Sequence, residues 1–263
     1  MSTRISKNKR ILQNVVMVAF VIPFVFPLIS VIARSAQGEG FIVNYKAVFL
    51  RSPFFQFAAN SLYIAFFTVL ITFITTMLSA YAFSKINFRG RSTLFILLLG
   101  GLVLPSIALV VPLFIMVAKL GAFNTYWAVI IPLAAGAIPF NLLLAKNYMD
   151  SIQNEIVEAA EIDGCNKLQV FIRIILPLSK PISSVIVILT FLASWNEFFL
   201  PVLFIQDPTK QVVAQVPQYF SSIYTSDYPK IFAALILISL PTLILYLVFQ
   251  KNFERGLSAG AVK

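Results

Sequence analysis

The residues able to do chemistry are few and unevenly placed. The chain has ten carboxylates, and Asp150, Glu155, Glu158, Glu161 and Asp163 fall in one short stretch. Glu197 stands alone within an apolar run, beside Ser194 and Asn196. There is no histidine and a single cysteine, Cys165. Internal disulfides are excluded, a Cys/His metal site is implausible, and histidine is unavailable as an acid–base catalyst or proton relay. No nucleophile–base cluster falls within the apolar runs, so no catalytic residue and no metal ligand is assigned.

The acidic stretch has the pattern of a short helix. Asp150 followed by Gln153 suits a helix start, and Glu155 suits the positive N-terminal end. At 100° per residue Ile152, Ile156, Ala159 and Ala160 share one sector, while Glu158 and Glu161 face away. Small residues on that sector would allow a partner backbone to approach closely. Gly164 ends the helix, because glycine takes positive φ at little cost. A second short helix follows, about 167–174, and ends at Leu176-Pro177. Helices that lie on a bilayer surface are usually basic on the polar face. This acidic one would be repelled by anionic lipid, so a protein partner fits better.

Glu197 poses a different problem. A charge at the bilayer centre costs at least about 2.5 kcal/mol, so it should face a cavity, a partner or the bundle interior. With Ser194 and Asn196 it either lines a polar path through the membrane or locks its helix against a neighbour. Thr68, Thr72, Thr75 and Thr76 lie on related helix faces and either pack helices or line the same path.

The elements that must position these residues are membrane spans. The chain is 59% hydrophobic and 11% charged over 263 residues, against about 25% charged in soluble domains. Apolar blocks at about 11–32, 58–83, 94–117, 126–145, 182–205 and 231–249 read as six spanning helices. The first is too long for a signal-peptide core of about 7–15 residues. Pro105 and Pro112 each remove a backbone donor, which predicts a kinked or unwound third span. Six spans fill a single transmembrane domain over 1–263 and would leave no room for a separate nucleotide-binding or catalytic domain.

The net charge of +10 follows the loops. Arg4, Lys7, Lys9, Arg10, Lys85, Arg89, Arg91, Lys146, Lys167, Arg173, Lys180, Lys251, Arg255 and Lys263 fall on one side, few basic residues on the other. The positive-inside rule then predicts both termini in the cytoplasm, with the 150–180 loop cytoplasmic between spans four and five. Tyr126 and Trp127 sit as interfacial aromatics. The outer loops, about 34–56 and 206–229, carry Phe41, Tyr45, Phe54, Phe55, Tyr219, Tyr224 and Tyr228 and read as packed caps or as anchored connectors. The charge implies topology and lipid contact rather than nucleic acid.

Glu158-Ala159-Ala160, then Asp163-Gly164, Ile174 and Leu176-Pro177, resembles the EAA loop of permeases in binding-protein-dependent ABC importers. The resemblance implies an all-α type I permease fold. It also implies that Glu158, Ala159, Ala160, Asp163, Gly164, Ile174, Leu176 and Pro177 form a coupling helix docked in an ATPase cleft. The tail from Arg255 to Lys263 looks like that of carbohydrate permeases of the maltose type, as do Asn60-Ser61-Leu62 and Trp195-Asn196-Glu197-Phe198. In that group the tail reaches the ATPase, which extends the implied contact to Ser258, Ala259, Gly260, Ala261 and Val262. The implied partners are a second permease, two cytoplasmic ATPases that hold ATP and Mg, and an extracytoplasmic sugar-binding protein, in a bacterial inner membrane. This chain itself would hold no cofactor. A permease for another solute, or an ion-coupled transporter using Glu197, is the alternative.

Overall fold

The computed structural model describes residues 7–222 and 224–261, with side chains described for 13–14, 16–222 and 224–250. Among the described residues the one β pairing is an isolated bridge between Ser221 and Ser226. All other regular structure is helical.

The first helices are α1 (Lys7–Ser35), α2 (Phe41–Arg51) and α3 (Phe54–Lys85). The expected third span is two helices, α4 (Arg91–Leu99) and α5 (Val110–Lys119), joined by 3-10 turns at Gly100–Leu102 and Ser106–Leu109. The axis bends by 93° across this break. The unwinding falls at Pro105, which is extended at φ −66° and ψ 130°. Pro112 causes none, because it lies in the first turn of α5, where a backbone N–H would have no intrahelical partner and its absence costs nothing. Gly101 belongs to the break for a second reason. A Cβ there would stand 3.1 Å from Pro139 Cγ, so only glycine admits this approach without displacement.

The helix α6 (Trp127–Asp150) runs unbroken through Pro132 and Pro139. Next come α7 (Asn154–Ile162), α8 (Lys167–Val170), a π turn at Phe171–Ile175 and α9 (Leu176–Leu178). The second short helix was expected to stop at Leu176-Pro177. Instead it passes through, because the π turn puts Pro177 in the first turn of a new segment, where a proline is tolerated. A 79° bend then leads into α10 (Lys180–Trp195). The fifth span is also shorter than expected. It breaks at Asn196-Glu197-Phe198 and resumes as α11 (Phe199–Phe204). The last helix, α12, covers Tyr228–Ala261, well past the expected end near 249.

Among the described residues four helical stretches are long and apolar enough to cross a membrane: Val16–Ser35, Phe54–Lys85, Trp127–Asp150 and Tyr228–Gln250. Counting each bent pair as one crossing makes six.

The chain forms two compact units. One comprises Met1–Phe54 and Val216–Ser239, the other Phe55–Gln215 and Leu240–Lys263. In the first unit, buried Asn44 donates to Ser35 O and Gln37 O, both at 2.8 Å, and closes the turn between α1 and α2. Lys230 is 3% exposed. Its ammonium pairs with Asp227 and, at 3.3 Å, with Glu39. Asp227 also starts α12, accepting from Ile231 N through its carbonyl.

Asp227→Ala is therefore expected to destabilise the chain by about 3 kcal/mol, since removing one partner leaves a buried ammonium poorly compensated. Thermal unfolding in mild detergent reads this out. A variant as stable as wild type would show that Glu39 alone suffices.

The second unit has its main core where α3, α6 and α10 meet the α7–α9 segment. Met77, Tyr81 and Phe83 pack with Leu142, Ala145 and Met149, and with Ile182, Val185 and Ile186. Val157, Ala160, Val170 and Ile175 belong to the same cluster. A separate cluster at the opposite end of α3 joins Ile64 to Val129, Ile130, Ile205 and Val212.

Candidate coupling knuckle and transmembrane cavity

The α7–α9 segment is a knuckle held by its own core and by α3. Of α7, Val157 and Ala160 are buried. Glu155, Ile156, Glu158, Ala159, Glu161 and Ile162 are exposed, Ile162 to 86%. The expected face of Ile152, Ile156, Ala159 and Ala160 is thus divided. Ala160 and half-buried Ile152 face the chain's own core, while Ala159 and Ile156 turn outward with the carboxylates. What remains free is an acidic surface with an apolar centre at Ile162 and Leu168.

Gly164 closes α7 with a hydrogen-bonded reversal. Its φ is +86°, Cys165 N donates to Ala160 O, and Gly164 N donates to Glu161 O, each at 3.0 Å. This is the Schellman arrangement, which satisfies carbonyls left open at the helix end. The next helix starts with a full capping box. Asn166 Oδ1 accepts from Gln169 N and Gln169 Oε1 accepts from Asn166 N, both at 2.9 Å. Asn-x-x-Gln was readable in the sequence as such a start, and sequence reasoning missed it. Asp150, expected to begin the acidic helix, ends α6 instead. It accepts from Lys146 Nζ at 2.6 Å and Ser84 Oγ at 2.7 Å. Gln153 takes the N-cap position of α7 with no side-chain cap bond.

Two residues at the end of α3 tie the knuckle down. Lys85 donates to Ile152 O and, at 2.8 Å, to Asn154 Oδ1. Tyr81 donates to Lys167 O at 3.0 Å, and its ring lies 5.3 Å from that of Phe171. Tyr81 had not been singled out, and Lys85 only as a basic residue that sets topology; the signal was a Tyr and a Lys one helical turn apart at the end of a span. Ile174 and Leu176 are half-buried against the same core, and Pro177 is exposed on α9. Ser258, Ala259, Gly260 and Ala261 continue α12, with side chains outside the described residues, as is all of Val262.

The second feature is a cavity of about 450 Å3 where the two broken helices face α6. Ser106, Gly136, Ala193, Glu197 and Leu200 are among its lining. Glu197 Oε1 accepts from Phe199 N at 2.9 Å and Leu200 N at 2.8 Å. The carboxylate thus satisfies the open amides of α11 from inside its own chain. That is a task distinct from both expected ones, although Glu197 also lines the cavity. Ser194 is buried, and exposed Asn196 donates to Leu192 O at 2.9 Å. Thr68, Thr72 and Thr76 lie buried along one face of α3, whereas exposed Thr75 donates to Ile71 O at 2.6 Å.

At the opposite end from the knuckle, Asn60 Nδ2 donates to Thr209 O at 2.9 Å and Gln211 O at 2.8 Å. Its Oδ1 accepts from Tyr126 at 2.8 Å, and Ser61 Oγ accepts from Val213 N at 2.9 Å. The start of the 206–229 loop is thereby packed on α3. Within that loop, hydrogen bonds from the Thr209 hydroxyl and amide, then Lys210, hold the Asp207 carboxyl below its ordinary range.

Spans broken around a cavity, with a braced helical knuckle at one end, define a polytopic helical membrane protein. The chain belongs to the family of binding-protein-dependent transport system inner membrane components, matched over residues 72–259. It is 39% identical over 204 residues to the probable ABC transporter permease protein YurM of Bacillus subtilis, covering 78% of this chain and 68% of that one. It is 34% identical to the trehalose/maltose transport system permease protein MalG of Thermococcus litoralis, over 97% of each. A solved bacterial ABC transporter involved in import of the acidic polysaccharide alginate has the same fold. Its matching chain has a TM-score of 0.82 at 24% identity, covering 96% of this chain and 100% of that one.

Proposed function

We propose that this chain is one of two permease subunits in an ATP-driven carbohydrate importer of a bacterial inner membrane. The observation that carries the reading is the knuckle. Its acidic, apolar-centred surface is free, while its inner face is fused to the core that joins α3, α6 and α10. Several relatives bear the names of sugar permeases, for trehalose and maltose and for galactooligosaccharides among others. In this reading both termini and the knuckle are cytoplasmic, as the basic loops require.

The mechanism is conformational. Two partner ATPases bind ATP and Mg; their closure pushes on Glu158, Ala159 and Ile162. The displacement passes through Val157, Ala160 and the Lys85 and Tyr81 hydrogen bonds into the ends of α3, α6 and α10. Packed cores move between discrete arrangements rather than deforming smoothly, so a small push selects between inward-open and outward-open states. The cavity beside Glu197 is this chain's wall of the solute path. An extracytoplasmic sugar-binding protein delivers solute at the Asn60 end, and Ser258 to Val262 extend the ATPase contact.

The test is co-purification of the tagged chain from its native membrane. An ATPase and a second permease are expected with wild type. An Ile162→Glu variant, still inserted, is expected to lose the ATPase by at least about tenfold. A stable wild-type chain that brings down no ATPase would overturn the reading.

A further inference from the structure

At the same end as the knuckle, a polar cavity of about 660 Å3 opens between the start of α4 and α6. Asn87, Gly90, Arg91, Ser92, Thr93 and Lys146 supply its polar lining, and Phe88, Phe95 and Ile96 its apolar wall. The cations differ in how far they are neutralised. Lys146 is paired with Asp150 at 2.6 Å and lies 5.1 Å from the centre of the Phe95 ring. Arg91 instead donates to two neutral oxygens, Asn87 Oδ1 at 3.1 Å and Ser84 O at 3.2 Å. Among the described residues no carboxylate lies within ion-pair distance of it. Its guanidinium is therefore held in place, keeps unused donors, and carries an uncompensated charge. A fixed guanidinium fork is suited to a phosphate or carboxylate.

We infer that this cavity binds the phosphate of an anionic phospholipid, held by Arg91 with the hydroxyls of Ser92 and Thr93. Two observations favour lipid over a free phosphate compound. The polar cavity continues directly into exposed apolar surface on α4, where Ile96 is 67% and Leu97 68% exposed, as acyl chains require. In the proposed topology, on which this point rests, the basic end of α3 and the basic start of α4 also put the cavity at the membrane–water boundary. The start of α4 contributes in the same sense, since Gly90 caps it without a side chain and leaves its positive end open.

The test uses the full chain in nanodiscs of equal phosphatidylglycerol and phosphatidylcholine, followed by detergent extraction and mass spectrometry of retained lipid. Both leaflets carry both lipids, so the result is independent of orientation. Wild type is expected to retain phosphatidylglycerol with about fivefold enrichment, the scale of one basic contact near a membrane. Arg91→Gln should bring the ratio to that of the bulk. Because Arg91 also braces Ser84 and Asn87, Ser92→Asp serves as the second variant; it places a negative charge in the cavity and leaves those bonds intact. Its thermal midpoint in pure phosphatidylcholine should equal that of wild type while the enrichment is lost. Undiminished enrichment in a stable Ser92→Asp chain would overturn the site. Loss of enrichment on adding millimolar inorganic phosphate would assign the cavity to free phosphate instead.

Discussion

Gly164→Val is expected to abolish most ATP-driven uptake while leaving the chain inserted and its outer end folded. The backbone at Gly164 sits at φ +86°, and nothing lies within 4 Å of where a Cβ would be. The obstacle to a side chain is thus conformational rather than a clash with neighbours. A β-branched residue is among the worst in the left-handed region, which costs ordinary residues about 1–2 kcal/mol. Relief would come from unwinding the reversal, breaking the Cys165 and Gly164 amide bonds and swinging α7 away from α8. The knuckle would then meet its partner in the wrong orientation. Gly164→Asn is the informative control, because asparagine tolerates this region, and it should keep most of the uptake. Uptake and ATPase activity in proteoliposomes, assayed with the full complex, decide the matter. If the Val variant transports like wild type, the reversal does not position a coupling surface.

Glu197→Ala is expected to lower transport by at least about tenfold, and Glu197→Gln to leave it within about twofold. The carboxylate accepts two amide hydrogen bonds at the start of α11. Bonds to a charged acceptor contribute about 1.5–3 kcal/mol each, and about 1.4 kcal/mol shifts an equilibrium tenfold. An alanine leaves both amides open beside an apolar cavity and frees the segment between α10 and α11. Glutamine keeps a carbonyl oxygen on a side chain of the same length, so it restores the cap without the charge. A contact that needs the charge itself, with solute or with a partner, would behave otherwise, and both variants would then fail equally. The uptake ratio of the two variants separates these cases, with protein level in the membrane as the control for folding.

The comparison of particular residues shows how much was legible beforehand. Apolar runs separated by basic loops are a one-dimensional pattern, and lipid reads it segment by segment. The all-helical class, a membrane chain of four to six candidate crossings and a short helix at the acidic stretch therefore followed from the sequence by itself. So did Gly164, because a positive φ at a helix end is a local demand. The unwinding at Pro105 was local as well, since a missing N–H is a property of one residue.

Other features depended on neighbours distant in the chain. Whether Ala159 or Ala160 faces outward was settled by the core of α3, α6 and α10 beneath the knuckle, which buries Val157 and Ala160. Asp150 was free to begin one helix or end another; Lys146 and Ser84 decided. The Asn60 side chain has donors and acceptors that say nothing of direction until Thr209, Gln211 and Tyr126 stand beside it. Glu197 is the clearest case. A lone carboxylate in an apolar run signals only that something must satisfy it, and burial makes that requirement strict. Which group meets it is a three-dimensional question, and here the answer is the broken end of its own helix.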